Sequence, residues 1–490
     1  MVFRNGEHNR PMQVRRTGLM LKSDCRKVLL RPFEVADTSR IKKIIGRIMS
    51  MTEAEAVNQY QMVLSGFSDR HREIEDFFHR RFTEVSTFIP GGHPCSKERS
   101  LLIGAYFSHE YSYQAAALFN PSIVWHPDQS GLPAGSKRFI MSLRATGEGH
   151  ISSLTFRTGI IDKENNIELA ETGRYPETAD KANDPVYDLS IVKNLAGKSG
   201  LPDDRIRKIF TGLGSVFTRK ELELKLASTA DDGKEEEIAV QSLLSMLYPE
   251  YQLRFDSRSD ISERVIFPIT LSESNGIEDA RFVYFQDGEN TRYYATYTAY
   301  DGHRIRVKLL ETTDFIHFST GTLSGPAIEN KGIALFPEKI NGKYAMLSRQ
   351  DNENNLIMYS DDLYYWSDKK IIQRPAFSWE FIQLGNCGSP VETEKGWLVF
   401  SHGVGAMRTY SIGAFLLDHD NPTKLIGRTS EPLLIPEGSE REGYVPNVVY
   451  SCGAVIHGPD VILPYAVSDS ATSIALISLN ELLGAMQIVG

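Results

Sequence analysis

Along the first fifth of the chain apolar residues recur with the period of a helix. Between residues 34 and 88, Ile41, Ile44, Ile45, Ile48 and Met49 fall at i, i+3, i+4, i+7 and i+8, a single apolar stripe. Thr52 followed by Glu55 is a capping-box pair and predicts the start of a second helix. Ile74, Phe77, Phe78, Phe82 and Val85 form the stripe of a third. Stripes of this kind belong to a core or a subunit contact, not to chemistry. Exposed Ile and Phe at that density would invite aggregation, so burial against the rest of the chain or a neighbouring subunit is expected, and with it a homo-oligomer.

From about residue 106 the pattern changes to apolar runs of four to seven residues separated by turn clusters. RFIMSLRA, RFVYFQDGENTRYYATYTAY, GKYAMLSRQDNENNLIMYS and GWLVFSHGV are examples, with Gly, Asn and Asp between the runs. Thr313-Asp314-Phe315-Ile316-His317-Phe318 parallels Asp361-Asp362-Leu363-Tyr364-Tyr365-Trp366, about 47 residues further on. A strand-built repeat of about 40 to 50 residues is the mark of a propeller blade, whereas a β-sandwich predicts no such period. The expectation is an all-β propeller domain over 106–490 preceded by a largely helical extension over 1–105. Within the domain, DDRIRKIFTGLGSVF and DDGKEEEIAVQSLLSMLY read as helices, an insertion at about 185–250.

Composition excludes more than it identifies. The 490 residues are 41% hydrophobic and 24% charged, values of ordinary globular protein. A net charge of -9 argues against bulk nucleic-acid binding, although it permits a local basic pocket for a small anion. No apolar run approaches the length of about 18 residues that a membrane span needs. The polar start MVFRNGEHNRPMQVRR lacks the apolar core of a secretory signal. Cys25, Cys95, Cys387 and Cys452 are far apart and form no CxxC pair, so neither a zinc site nor a disulfide framework is expected. These features together predict a cytoplasmic protein with reduced thiols. His109-Glu110 and His126 lack metal-binding spacing, Ser389 is not in a GxSxG elbow, and no nucleotide-binding glycine motif occurs. No metal and no cofactor are expected.

Eight segments, in order, carry a resemblance to a known family. They are RRTGLMLKSDCRKVLLRPF, FNPSIVWHP, GIEDARF, KGIALFPEKINGKYAMLSR, GWLVFSHGV, SIGAFLLDHDNPTKLIGRTSEPLL, YVPNVVYSCGAVIHG and LPYAVSD. The chain resembles glycoside hydrolase family 130, the β-mannoside phosphorylases and β-mannosidases, whose fold is a five-bladed β-propeller. The helical segment of 34–88 resembles the extension of longer members.

The resemblance makes Asp279 the general acid, the carboxyl group that protonates the departing sugar directly or through a sugar hydroxyl. Glu278 and Asp279 are adjacent, so on a regular strand they would face opposite ways and only one would enter the pocket. Ala280 stands where the family usually has Pro. A phosphorylase must also hold phosphate, for which Arg supplies a fork, Lys a point charge and His a donor. Matching the motifs puts Arg144, Lys331, Arg349 and His402 in that role. Arg144, Arg349 and His402 each follow an apolar strand run, where a propeller strand would deliver a side chain to an axial pocket. Gly332, in place of an expected Asp, and Ser348, in place of a common His, depart from the family pattern around the acceptor sugar. Asn120, Glu278 and Asp469 match substrate-binding positions.

The implied reaction is inverting phosphorolysis of a β-linked mannoside, with inorganic phosphate as co-substrate and α-mannose 1-phosphate as product. Two alternatives stand beside it. An inverting β-mannosidase of the same fold would need a carboxylate base for water, for which Glu148, Asp351 and Glu440 are candidates. A propeller that only binds glycan is the other.

Overall fold

A computed structural model describes residues 14–89, 94–181, 185–229, 239–240, 242–244 and 246–489. It is mostly sheet with some helices.

The helical stripes pack on one another. Helix Thr38–Met49, capped by Asp37, buries Ile45 and Ile48. Helix Glu53–Phe67 begins at the expected capping box, with Thr52 and Glu55 each satisfying the other's backbone amide. Helix Ile74–Val85 buries Ile74, Phe78 and Val85. A fourth helix, Lys97–Tyr106, shows no clear stripe because it is buried on several sides, at Leu101, Leu102 and Ile103. Gly104 lets it touch the third helix, since a Cβ there would stand 1.9 Å from the Phe78 carbonyl oxygen. The apolar faces that suggested an oligomer are thus largely met within the chain. Arg72 to Glu263 at 2.9 Å and Arg258 to Glu73 at 3.0 Å tie this unit to the sheet region.

The sheets follow one another as antiparallel meanders. The first runs Ala117–Trp125, Lys137–Thr146, Ser152–Ile161 and Ile167–Leu169. The second runs Gly276–Asp287, Asn290–Tyr300, Ile305–Thr312 and His317–Thr322. The third runs Ala334–Leu335, Tyr344–Ser348, Asn355–Ser360 and Lys370–Gln373. The fourth runs Gln383–Asn386, Gly396–Val404, Tyr410–Leu417 and Leu425–Arg428. In the last, Val449–Tyr450, Asp460–Val467 and Ala471–Ser478 are completed by Val14–Leu21 from the start of the chain. A boundary at residue 105 therefore cuts a strand from its sheet: Val14–Leu21 belongs with the strands, and the helical extension lies after it.

The parallel between these two segments is structural. Both copies connect the third strand of a meander to its fourth. Asp314 accepts backbone N–H bonds from Ile316 and His317 at 2.8 Å, and Asp362 accepts one from Tyr364 at 2.9 Å. Phe315 and Trp366 are completely buried. The expected insertion contains helices Leu189–Lys198, Asp203–Phe210 and Arg219–Ser228 around a small core of its own. Val186–Asp188 and Val216–Thr218 add a two-stranded ribbon that the helical reading did not anticipate. Residues 231–238, 241 and 245 of the second predicted helical run lie outside the described residues.

Candidate active site

The predicted site residues cluster where the inner strands and the hairpins that follow them meet. Asn120 and Asp279 sit at matching irregularities of the first strands of the first two meanders, where the register shifts between Phe119 and Ser122 and between Glu278 and Arg281. Both have left-handed backbones, φ 50° and 53°, an uncommon conformation outside glycine that Asn and Asp tolerate best.

This bulge corrects the strand argument. Glu278 and Asp279 do not face opposite ways: Arg144 donates to Glu278 Oε1 at 2.8 Å and to Asp279 Oδ1 at 3.3 Å. Ser152 Oγ, accepting from Arg144 Nε at 2.9 Å, fixes the guanidinium. Asn120 donates to Asp279 Oδ1 at 2.6 Å, and Lys331 lies 3.5 Å from Glu278 Oε2. Asn120 Oδ1 is buried with no partner among the described residues, leaving an acceptor for a hydroxyl.

Burial alone would raise the Asp279 pKa, but the charges of Arg144, Lys331 and Arg281 and the Asn120 hydrogen bond outweigh it and hold the group below the carboxylate range. Asp469 goes the other way. Burial, then the charge of Asp279, pushes it up to about 6. It lines a cavity of about 100 Å³ with Phe119, Arg144, His150 and Tyr444.

Arg349 and His402 form a second group. Arg144 and His402 lie two residues inside the ends of Lys137–Thr146 and Gly396–Val404, while Arg349 directly follows Tyr344–Ser348. Gly385 pairs across the ladder with His402. A Cβ on Gly385 would lie 2.3 Å from His402 Cε1 and 2.7 Å from Arg349 Cδ, so the two side chains meet over that glycine. Gly332 forms another wall, 2.4 Å from Arg349 Nε to where its Cβ would be. The departure from the family pattern at 332 thus has a physical use: only glycine lets Arg349 lie there. Arg349 Nε and His402 Nε2 are buried and have no protein partner among the described residues. Burial, then the charges of Arg349 and Arg281, keeps the imidazole neutral, its pKa far below the usual value. The fixed positive charge therefore comes from Arg144, Lys331, Arg349 and Arg281.

Arg281 and Tyr450 connect the two groups, and residue-type reasoning missed both. Arg281 donates to the Asp279 carbonyl at 3.3 Å and to the Tyr450 hydroxyl at 2.6 Å, and the Tyr450 ring lies 4.9 Å from that of His402. Their only signal was membership in GIEDARF and YVPNVVY. Of the acids considered as a hydrolytic base, Glu440 is held by Arg16 at 3.1 Å and Tyr465 at 2.6 Å. Asp351 caps its own turn through the amides of Glu353 and Asn354. Glu148 is exposed on the hairpin beside His150.

A family model described as beta-1,4-mannooligosaccharide phosphorylase matches residues 257–488. A 1,2-β-oligomannan phosphorylase from a Thermoanaerobacter species is 38% identical over 221 residues, 44% of this chain and 72% of the relative. A β-1,2-mannobiose phosphorylase from Listeria innocua is 32% identical over 232 residues, 46% of this chain and 63% of the relative. The solved structure of β-1,2-mannobiose phosphorylase from Listeria innocua with β-1,2-mannobiose aligns over 76% of this chain and 92% of that one, at 22% identity and a TM-score of 0.45. On the extent and identity of the sequence matches, the chain belongs to glycoside hydrolase family 130.

Proposed function

We propose that this protein is an inverting phosphorylase of β-linked mannosides, its meanders forming the blades of a five-bladed propeller around the site. The observation that carries the reading is the pair of buried, unpartnered nitrogens, Arg349 Nε and His402 Nε2, beside carboxylates already bound to Arg144 and Lys331. Arg349 Nε is a donor in every state, and a buried donor without a partner costs about 1–3 kcal/mol, a cost that a phosphate oxygen would remove. Hydrolysis would need a free carboxylate base in the pocket instead; Asp351 and Glu440 are engaged in structure, and Glu148 is exposed and outside the lining of the cavity at Asp469.

Phosphate, held by Arg144, Lys331, Arg349 and His402, attacks the anomeric carbon as the glycosidic C–O bond breaks. Attack from the opposite face inverts a β-mannoside to α-mannose 1-phosphate. The departing oxygen takes a proton through Asp279, while Asn120, Glu278 and Asp469 hold the terminal sugar. Asp279 is ionised among its cations, so its proton must arrive with the reactants. Phosphate does two things here: its negative charge offsets Arg144 and Lys331, which raises the proton affinity of Asp279, and its acidic form supplies the proton. Phosphate is the only co-substrate required, and no cofactor takes part.

The test is incubation with β-mannobioses, with and without phosphate, measuring mannose 1-phosphate against free mannose. The β-1,2 linkage is the first to assay, because both named relatives are phosphorylases of β-1,2-linked mannosides. Mannose 1-phosphate formed only with phosphate is expected. Turnover indifferent to phosphate would reject the reading in favour of a mannosidase.

A further inference from the structure

The hairpins that follow the second strands of the first and fourth meanders are built alike. Gly147 and Gly405 open them with nearly the same backbone, φ −104° and ψ −160° against φ −107° and ψ −163°. Each glycine amide donates at 3.0 Å to the carbonyl four residues on, that of Ile151 or Thr409. Gly149 and His150 in one turn, and Met407 and Arg408 in the other, are left-handed. His150 lines the cavity at Asp469, and Arg408 holds the matching place on the fourth sheet. Glycine or asparagine takes that backbone with less strain than arginine, so the turn itself does not call for Arg at 408. The Arg408 side chain is exposed, and its guanidinium makes no hydrogen bond or ion pair among the described residues. It lies 5.9 Å over the Tyr410 ring, which stacks on His402 at 5.8 Å and 18°. Its charge also reaches Asp469, where it opposes the effect of burial. By contrast, Arg144 is bound to Glu278 and Asp279, Lys331 to Glu278, and Arg281 to Tyr450.

We infer that Arg408 is an entrance cation, which captures inorganic phosphate from solvent and passes it along Tyr410 to the buried pair His402 and Arg349. The inference rests on the phosphorylase reading. His402 and Arg349 are 0% and 7% exposed, so an anion that reaches them must leave water for a nearly closed site. An exposed cation beside that path raises the local anion concentration and the rate of entry. The effect matters more here because the whole chain carries a net charge of -9, which repels phosphate at long range. A neutral mannoside feels no such long-range attraction. Exposure also sets how far the charge acts. Its reach is about 30 Å at 0.01 M salt and about 3 Å at 1 M, whereas a buried contact such as that of Arg349 is screened much less. Salt should therefore separate the two arginines.

Arg408→Asn removes the charge with a residue that suits the left-handed backbone, and Arg408→Lys keeps the charge. Mannose 1-phosphate formation at saturating β-1,2-mannobiose gives kcat/KM for phosphate at low salt and at about 1 M sodium chloride. At low salt Arg408→Asn is expected to lose about fivefold or more in that constant, with kcat at saturating phosphate and mannoside KM little changed. Arg408→Lys should stay near wild type. At high salt Arg408→Asn and wild type should converge, while Arg349→Ala keeps its deficit. Equal constants for wild type and Arg408→Asn at low salt, a deficit that salt does not remove, or one that falls on mannoside KM instead would each overturn the inference. Calorimetric titration with inorganic phosphate at low salt reads the same residue without turnover. Weaker phosphate binding by Arg408→Asn, with no mannose 1-phosphate from wild type, would leave the capture standing and reject only the phosphorylase reading. Phosphate affinity that is unchanged in Arg408→Asn, or no phosphate binding by wild type, would reject the capture.

Discussion

The two halves of the site are finished to different degrees. Around Glu278 and Asp279 the carboxylates are neutralised by the protein itself, through Arg144, Lys331 and Asn120. Around Arg349 and His402 the protein supplies buried nitrogens and shapes two glycines to receive the side chains, but among the described residues no group meets Arg349 Nε or His402 Nε2. The first half can hold its geometry without ligand. Under the phosphorylase proposal the second receives an anion from outside, and orienting charge in advance is the usual way an enzyme lowers the cost of bringing a charged nucleophile out of water.

Breaking the first half should have the largest effect. Asp279→Asn keeps the shape but cannot relay a proton, so kcat should fall by about 10² to 10⁴ with mannoside affinity largely kept. Steady-state kinetics checks this, and near-normal turnover would move the acid role to Glu278. In the second half, Arg349→Ala removes a charged hydrogen-bond donor worth about 1.5–3 kcal/mol. That loss should appear as a phosphate KM raised about tenfold or more at saturating mannoside. His402→Ala should act in the same direction but more weakly, its imidazole being neutral. An identical phosphate dependence in all three proteins would show that the second half does not hold phosphate. Gly385→Ala sharpens the comparison, because it touches no ligand directly. Its Cβ would collide with both Arg349 and His402, so phosphate KM should rise while mannoside KM stays near that of wild type.

The last expected effect concerns stability, not turnover. The folded Asp469 binds its proton more tightly than the unfolded chain, with a pKa raised from the ordinary 3.8 to about 6. Stability therefore falls as pH rises through that window and stays at the lower level above it. At about 1.4 kcal/mol per pKa unit the cost at neutral pH is about 2–3 kcal/mol. Asp469→Asn should accordingly raise Tm at pH 7 and leave it nearly unchanged at pH 4, while weakening mannoside binding. Thermal melts at the two pH values check the sign; a variant less stable at pH 7 would contradict the burial account.

By itself the sequence determined the local elements and named the residues that the structure brings together. Helical stripes, the Thr52–Glu55 cap and the repeated aspartate turns at Asp314 and Asp362 are visible because their causes lie within a few residues. The motif residues that cluster here were also visible, since motifs record residue identity. Three things were decided only in three dimensions. The bulge at Asp279 turns two neighbouring carboxylates to one arginine, which strand periodicity cannot anticipate because it assumes an unbroken register. Val14–Leu21 completes a sheet whose other strands come more than 400 residues later, a pairing that no local pattern encodes. The use of Gly332 and Gly385 appears only when Arg349 and His402 are packed against them, because the absence of a side chain has meaning only through what occupies the space.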